Sequence, residues 1–180
     1  AFGGTIRDLL FAPKRTCQGL GQGHALGRPL SFLLSMYLFL TLIVLLLLGG
    51  LLLLLPLLLP HLEGLPDAQG LNLLLGLEWT NAIGFALGSL VAVSIGTVIY
   101  AFVGALVHHI LLMIFGAAKE GYSATFAVFC YASGATAILG LIPCLGSFLQ
   151  PIWALVSLTI GFASAHRTDL WRTACATLLI

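Results

Sequence analysis

The chain is expected to be an all-α integral membrane bundle, with four complete spans, the start of a fifth and a cytoplasmic N-terminus. Three observations carry that expectation. Hydrophobic residues make up 60% of the chain and charged residues only 7%, where soluble proteins carry about a quarter. The stretches 29–62, 79–118 and 121–166 run for 34, 40 and 46 residues without Lys, Arg, Asp or Glu. A hydrocarbon core of roughly 30 Å takes about 20 apolar residues per helix, so each stretch holds at least one span. Once spans are laid across these stretches, all seven basic residues fall on one side. Leucine-rich runs with interspersed glycine read as helices, since a membrane barrel shows short alternating segments instead. Mean hydropathy is +1.13 and net charge is +1, which excludes a nucleic-acid surface.

Residues 1–28 form a basic cytoplasmic or interfacial arm with Arg7, Lys14, Arg15 and Arg28 beside Ile6, Leu9, Leu10 and Phe11. Pro13 divides it. A short interfacial helix over 4–11 is one expectation and a partly ordered tail the other. The transmembrane domain follows over 29–180. Its first span covers about 30–59, too long and too lacking in a small-residue cleavage site for a secretory signal. Pro56 and Pro60 mark its far end, and the loop 60–78 holds Glu63, Asp67 and Glu78 with no base.

The stretch 79–116 is too short for two spans and a turn, and no Pro, Asn or Asp lies between Ile83 and Gly116. One long, tilted or kinked helix is expected, with a re-entrant hairpin as the alternative. Lys119-Glu120-Gly121 makes the next turn. The third span covers 122–142, Pro143 to Gly146 break it, and the fourth covers 148–165. Residues 170–180 begin a fifth helix too short to cross. With the N-terminus inside, loops 60–78 and 143–147 receive no basic residue, a seven-to-zero positive-inside split. Trp79, Trp153 and Trp171 serve as interface anchors. Cys17, Cys130, Cys144 and Cys175 show no metal-ligand spacing and no arrangement for an internal disulfide.

Polar residues within spans are the candidates for chemistry. His108 and His109 lie about 10–12 Å from the inner end of span two. Adjacent helical positions point about 100° apart, so at most one imidazole faces any single site. A proton relay, a metal or haem ligand and a pH sensor are the functional readings. The structural reading, an interhelical hydrogen bond locking two helices, is favoured. Tyr131 and Ser133, with Cys130, Thr125 and Thr136, line span three at similar depth and complete a candidate intramembrane polar cluster. No acid stands ready to orient an imidazole beside a nucleophile. No catalytic, cofactor-binding or metal residue is therefore assigned, and no cofactor is expected. Gly84 and Gly88 form a GxxxG pair, and Gly134 and Gly161 stud spans three and four. These are helix-packing positions, within the chain in preference to between copies.

Spans three and four carry a more specific pattern: Gly121-Tyr122-Ser123-Ala124-Thr125, Phe129-Cys130-Tyr131-Ala132-Ser133, then Ile142-Pro143, Gly146, Trp153, Ile160-Gly161 and His166. This order resembles the Yip family of Ypt/Rab-interacting membrane proteins, its short bacterial members above all. The histidine pair before Phe115-Gly116 and the Phe11-Ala12-Pro13-Lys14 run are similar too. The chain departs from the family where a proline commonly follows the tyrosine: here the run is Tyr131-Ala132-Ser133-Gly134. The resemblance implies a five-span fold with a cytosolic N-terminus. It does not bring Rab binding, which the eukaryotic relatives perform through a longer arm.

The expected function is a non-enzymatic multi-pass scaffold or accessory subunit of a membrane complex. Its partners would be the lipid bilayer and other membrane subunits or further copies of itself, with no nucleic acid. A transporter or channel for a proton, ion or small solute near His108 and His109 is the alternative, and a redox or haem-associated subunit the third reading. The short arm and minimal loops suggest a bacterial inner membrane; a eukaryotic source would imply an endomembrane.

Overall fold

The computed structural model describes residues 2–17, 26–58, 79–142 and 144–179. Every regular element among them is helical: α1 (Phe2–Phe11), α2 (Pro13–Cys17), α3 (Gly27–Leu58), α4 (Trp79–Ile114), α5 (Tyr122–Ala137, continued by a 3-10 turn over Ile138–Leu141), α6 (Gly146–Ala165) and α7 (Leu170–Leu178). Four are long and apolar enough to cross a membrane, over Gly27–Leu51, Asn81–Ile114, Tyr122–Leu141 and Gly146–Ala165. The molecule is a multi-pass membrane protein. The acidic loop 60–78 and the Trp79 side chain lie outside the described residues.

α4 runs unbroken for 36 residues, about 54 Å, so this stretch is one long helix and not a hairpin. It stops where glycine permits a left-handed residue. Gly116 takes φ 63°, the Gly116 N–H donates to Met113 O at 3.0 Å, and the Ala117 N–H donates to Leu112 O at 2.7 Å. That is a Schellman ending, which satisfies two carbonyls the helix would leave orphaned.

α5 is the axis of the bundle. From Ala124 to Ala137 every residue but Tyr131 is buried. α3, α4, α6 and α1 all pack on it, and α2 and α7 pack on α6. A helix enclosed on all sides needs no polar stripe, and its small Ala, Ser, Thr, Cys and Gly side chains let neighbouring backbones close in. The contacts are tight. A Cβ at Gly134 would stand 2.9 Å from the Phe32 ring, and one at Gly161 would stand 2.6 Å from Val128 Cγ1. At Gly104, a position absent from the sequence-derived packing set, an added Cβ would overlap the Phe129 ring. Gly84 and Gly88 differ: nothing among the described residues lies within 4 Å of either Cβ position.

The described first part of the N-terminal arm, residues 2–17, is helical and docked. Leu9 and Cys17 are buried, whereas Arg7, Phe11, Lys14 and Arg15 are exposed. The Trp153 indole N–H donates to Leu10 O at 3.1 Å, so Trp153 anchors the arm from the middle of α6. Cys17 fits beside Gly161, its Sγ 3.4 Å from that glycine's Cβ position. The arm thus packs on α5 through α1 and on α6 through α2.

Gly104→Ala should destabilise the detergent-solubilised protein by about 1–3 kcal/mol, because the Phe129 ring must move. Gly88→Ala, open to its surroundings, should change stability by less than about 0.5 kcal/mol. Thermal unfolding of the two variants side by side checks the contrast.

Candidate functional site

The ends of α4 and α6 and the start of α5 meet at one end of the bundle, here called the basic end, with Lys119, Arg167 and Arg172. Three helices converge there because each terminates in a defined turn. Gly121, at φ 78°, leads into α5. α6 closes through Arg167 at φ 49°, a left-handed conformation rare outside glycine, and the Thr168 N–H donates to Ala163 O at 3.1 Å. This ending makes His166 the C-cap of α6 and turns its ring toward α5.

A single chain of hydrogen bonds then crosses all three helices. The Glu120 backbone N–H donates to His166 Nδ1 at 3.1 Å. Since Nδ1 accepts, His166 carries its proton on Nε2, which donates to Thr125 Oγ1 at 2.9 Å. The Thr125 hydroxyl proton goes to its other partner, His109 Nδ1, at 2.9 Å. The polarity of the chain therefore assigns both imidazoles as neutral Nε2–H tautomers. His166 and Thr125 are fully buried, and Tyr122 closes the side with its ring edge-on to His109 at 5.6 Å. The Tyr122 hydroxyl donates to Phe102 O of α4 at 3.1 Å, a second α4–α5 link.

Charges border the tie on its outer side. Arg167 Nε lies 3.8 Å from Glu120 Oε1, and Lys119 Nζ donates to Arg167 O at 3.5 Å. These contacts are largely exposed, so they contribute little stability. A further polar link joins α6 to α7, where Thr159 and Thr177 share a 2.7 Å hydroxyl contact and the Thr173 hydroxyl donates to Thr159 O at 3.1 Å.

The four sequence-derived cluster residues do not meet. Only His109 enters the chain. The His108 Nδ1–H donates to Gly104 O in its own helix at 2.8 Å, and its ring packs against Phe129 and Phe162, at 5.2 and 5.5 Å between centroids. Tyr131 packs on Phe32, 5.2 Å between centroids. Ser133 is buried, and its carbonyl accepts the Thr136 hydroxyl at 3.3 Å. The residue sequence reasoning missed as a partner is His166, which reads as a boundary residue just past span four. The signal was its alignment with Thr125: both stand within a turn of the same membrane face. Among the described residues no three of His, Cys, Asp or Glu come together as metal ligands.

The family model for the Yip1 domain matches residues 7–180, which takes in the arm as well as the spans. The chain belongs to the Yip1 family. No curated protein and no solved structure matches it. Within this Yip1 domain the tie joins the segment before the Lys119 turn, the start of the central helix and the end of α6.

Two outcomes test the tie. Thr125→Val keeps the shape but leaves the buried His166 Nε2 and the partly buried His109 Nδ1 without this partner, and should cost about 1–3 kcal/mol of stability in a thermal or chemical melt. Burial first, and the neighbouring His109 second, push His166 from the ordinary 6.5 down to about 4. The unfolded chain then binds the proton first as pH falls. Stability should be full above about pH 7 and decline as pH drops through 6.5 toward 4. His166→Asn should flatten that slope in melts run between these limits.

Proposed function

We propose that this Yip1-family protein is a non-enzymatic scaffold or accessory subunit of a membrane complex, with its basic end in the cytoplasm. The observation that carries the reading is the use made of the histidines. His109 and His166 are engaged in tying three helices together, and His108 is packed between aromatic rings. A proton relay would need an exit beyond His166, yet its Nδ1 is closed by a peptide N–H, which does not pass a proton on. Interhelical hydrogen bonding is the ordinary use of such groups in membranes.

Outer surfaces support the same reading. One face of α4 presents Phe85, Val91, Ile95 and Ile99 exposed, with the open Gly84 and Gly88 alongside. An apolar groove of about 430 Å³ runs between α3, α4 and the α5–α6 turn, past Tyr37, Leu48, Phe85 and Leu141. Lipid or an apolar helix suits these surfaces. The Lys119, Arg167 and Arg172 cluster favours a cytoplasmic basic end by the positive-inside rule.

Gentle detergent extraction at native expression level, followed by mass analysis, should give a stoichiometric particle larger than the 19.0 kDa chain. A lone chain that drives flux in proteoliposomes, with the flux abolished by His109→Ala, would overturn the accessory reading.

A further inference from the structure

The arm's charges sit at a height that the rest of the bundle does not share. Trp153, which holds Leu10, lies 12 residues before Ala165, about 18 Å from the basic end. Gly161, beside Cys17, lies four residues and about 6 Å from it. Lys14 and Arg15, both exposed, fall between these two anchors. An independent contact gives the same answer. Phe32 rests on Gly134, 12 residues beyond Tyr122, so exposed Arg28, one turn earlier, stands about 12 Å from the basic end.

Across α5 the opposite flank reads differently. Val107, Ile110 and Ile114 of α4 are exposed and apolar down to its last turn, and Leu170 and Trp171 continue that surface onto α7. Hydrocarbon must therefore reach almost to the basic end on this flank. On the arm flank it must stop higher, because exposed Lys and Arg side chains do not remain in the acyl layer. Snorkelling of their stems shortens the gap but does not close it for three residues at once. Leu10 and Cys17 are seven residues apart and about 12 Å apart in height, so the arm runs along the bundle, with Leu9 and Cys17 against protein and Lys14 and Arg15 outward.

We propose that this protein thins the leaflet at its basic end along one flank only. Anionic phospholipid headgroups and water rise at least roughly 10 Å along α3 and α6 to meet Lys14, Arg15 and Arg28, while the α4–α7 flank keeps the ordinary boundary. Beside Leu10 they rise higher still, to meet the exposed Arg7–Asp8 pair. The bundle then acts as a one-sided wedge that tilts the surrounding leaflet. This inference stands on the placement of charges and does not depend on the accessory-subunit reading.

The test uses the full chain with Cys144→Ser and Cys175→Ser, which removes the two thiols that are not buried, reconstituted in phosphatidylcholine–phosphatidylglycerol vesicles. Spin labels are placed at Lys14→Cys, Arg15→Cys and Arg28→Cys, with Val103→Cys and Ile110→Cys on the opposite flank at matching heights. Contact with a water-soluble nickel chelate is measured against contact with dissolved oxygen. A second variant, Phe11→Cys with Leu149→Cys, reports docking by a short thiol crosslinker, since both residues line one small cavity. Water-phase contact an order of magnitude greater at the arm sites than at 103 and 110, together with efficient crosslinking, is the expected result. Water contact without crosslinking would show the arm lying free at the surface, and would overturn the proposal. Arm labels as shielded from the chelate as those at 103 and 110 would overturn it equally.

Discussion

The structure depends on one helix being narrow. α5 is enclosed by α3, α4, α6 and the N-terminal arm, so its packing decides whether the others can approach at all. Between transmembrane helices lipid supplies no hydrophobic drive, and association comes from close packing and hydrogen bonds. Both are concentrated on α5. Its Gly134 receives Phe32, its Val128 fills the space at Gly161, and its Phe129 covers Gly104. Its Thr125 is the middle member of the chain from Glu120 to His109. A bulkier α5 would separate the helices and open that chain in the same step.

The hydrogen-bonded tie shows why neutral histidine suits a three-way junction near a membrane face. A neutral imidazole donates at one nitrogen and accepts at the other, so it can pass a hydrogen bond from one helix to the next. A lysine there would donate only, and would bring a charge that the buried site disfavours. Burial and the neighbouring His109 keep His166 neutral down to about pH 4, which preserves its acceptor nitrogen for the Glu120 N–H. Protonation would turn both of its nitrogens into donors, opposing that N–H and weakening the link between α5 and α6.

How much of this was legible in the sequence follows from which forces are local. Span number and the continuity of α4 are set by length against bilayer thickness and by the absence of turn formers, and both can be read along the chain. The all-round burial of α5 is not written in its lack of a polar stripe, which α3 and α4 share while mostly exposed; what sets it apart is its content of small side chains. The identity of the site is not local. His108 and His109 are indistinguishable by depth, and only the approach of α5 and α6 decides that one meets Thr125 while the other turns back to Gly104. His166 was hidden for a related reason: a residue that ends a span looks solvated until the turn at Arg167 directs it inward. Gly104 gave no signal beyond being a glycine, because its role is created by a ring from another helix.

The arm exposes a general limit of assigning depth by charge. The positive-inside rule sorts residues between two sides and treats each side as flat. A charge in the middle of the hydrocarbon costs about 2.5–3.5 kcal/mol on insertion scales, so the rule works when charges have free loops in which to retreat. Here Lys14 and Arg15 are not free. The arm is held by buried Leu9 and Cys17 and by the Trp153 hydrogen bond, and its height is set by the protein. When protein contacts fix the height of a charge, the bilayer is the softer partner, since mismatch costs only fractions of a kcal/mol per Å. Three charges held together make deformation of the leaflet cheaper than burial of the charges. The same arm that completes the enclosure of α5 thereby shapes the membrane around it.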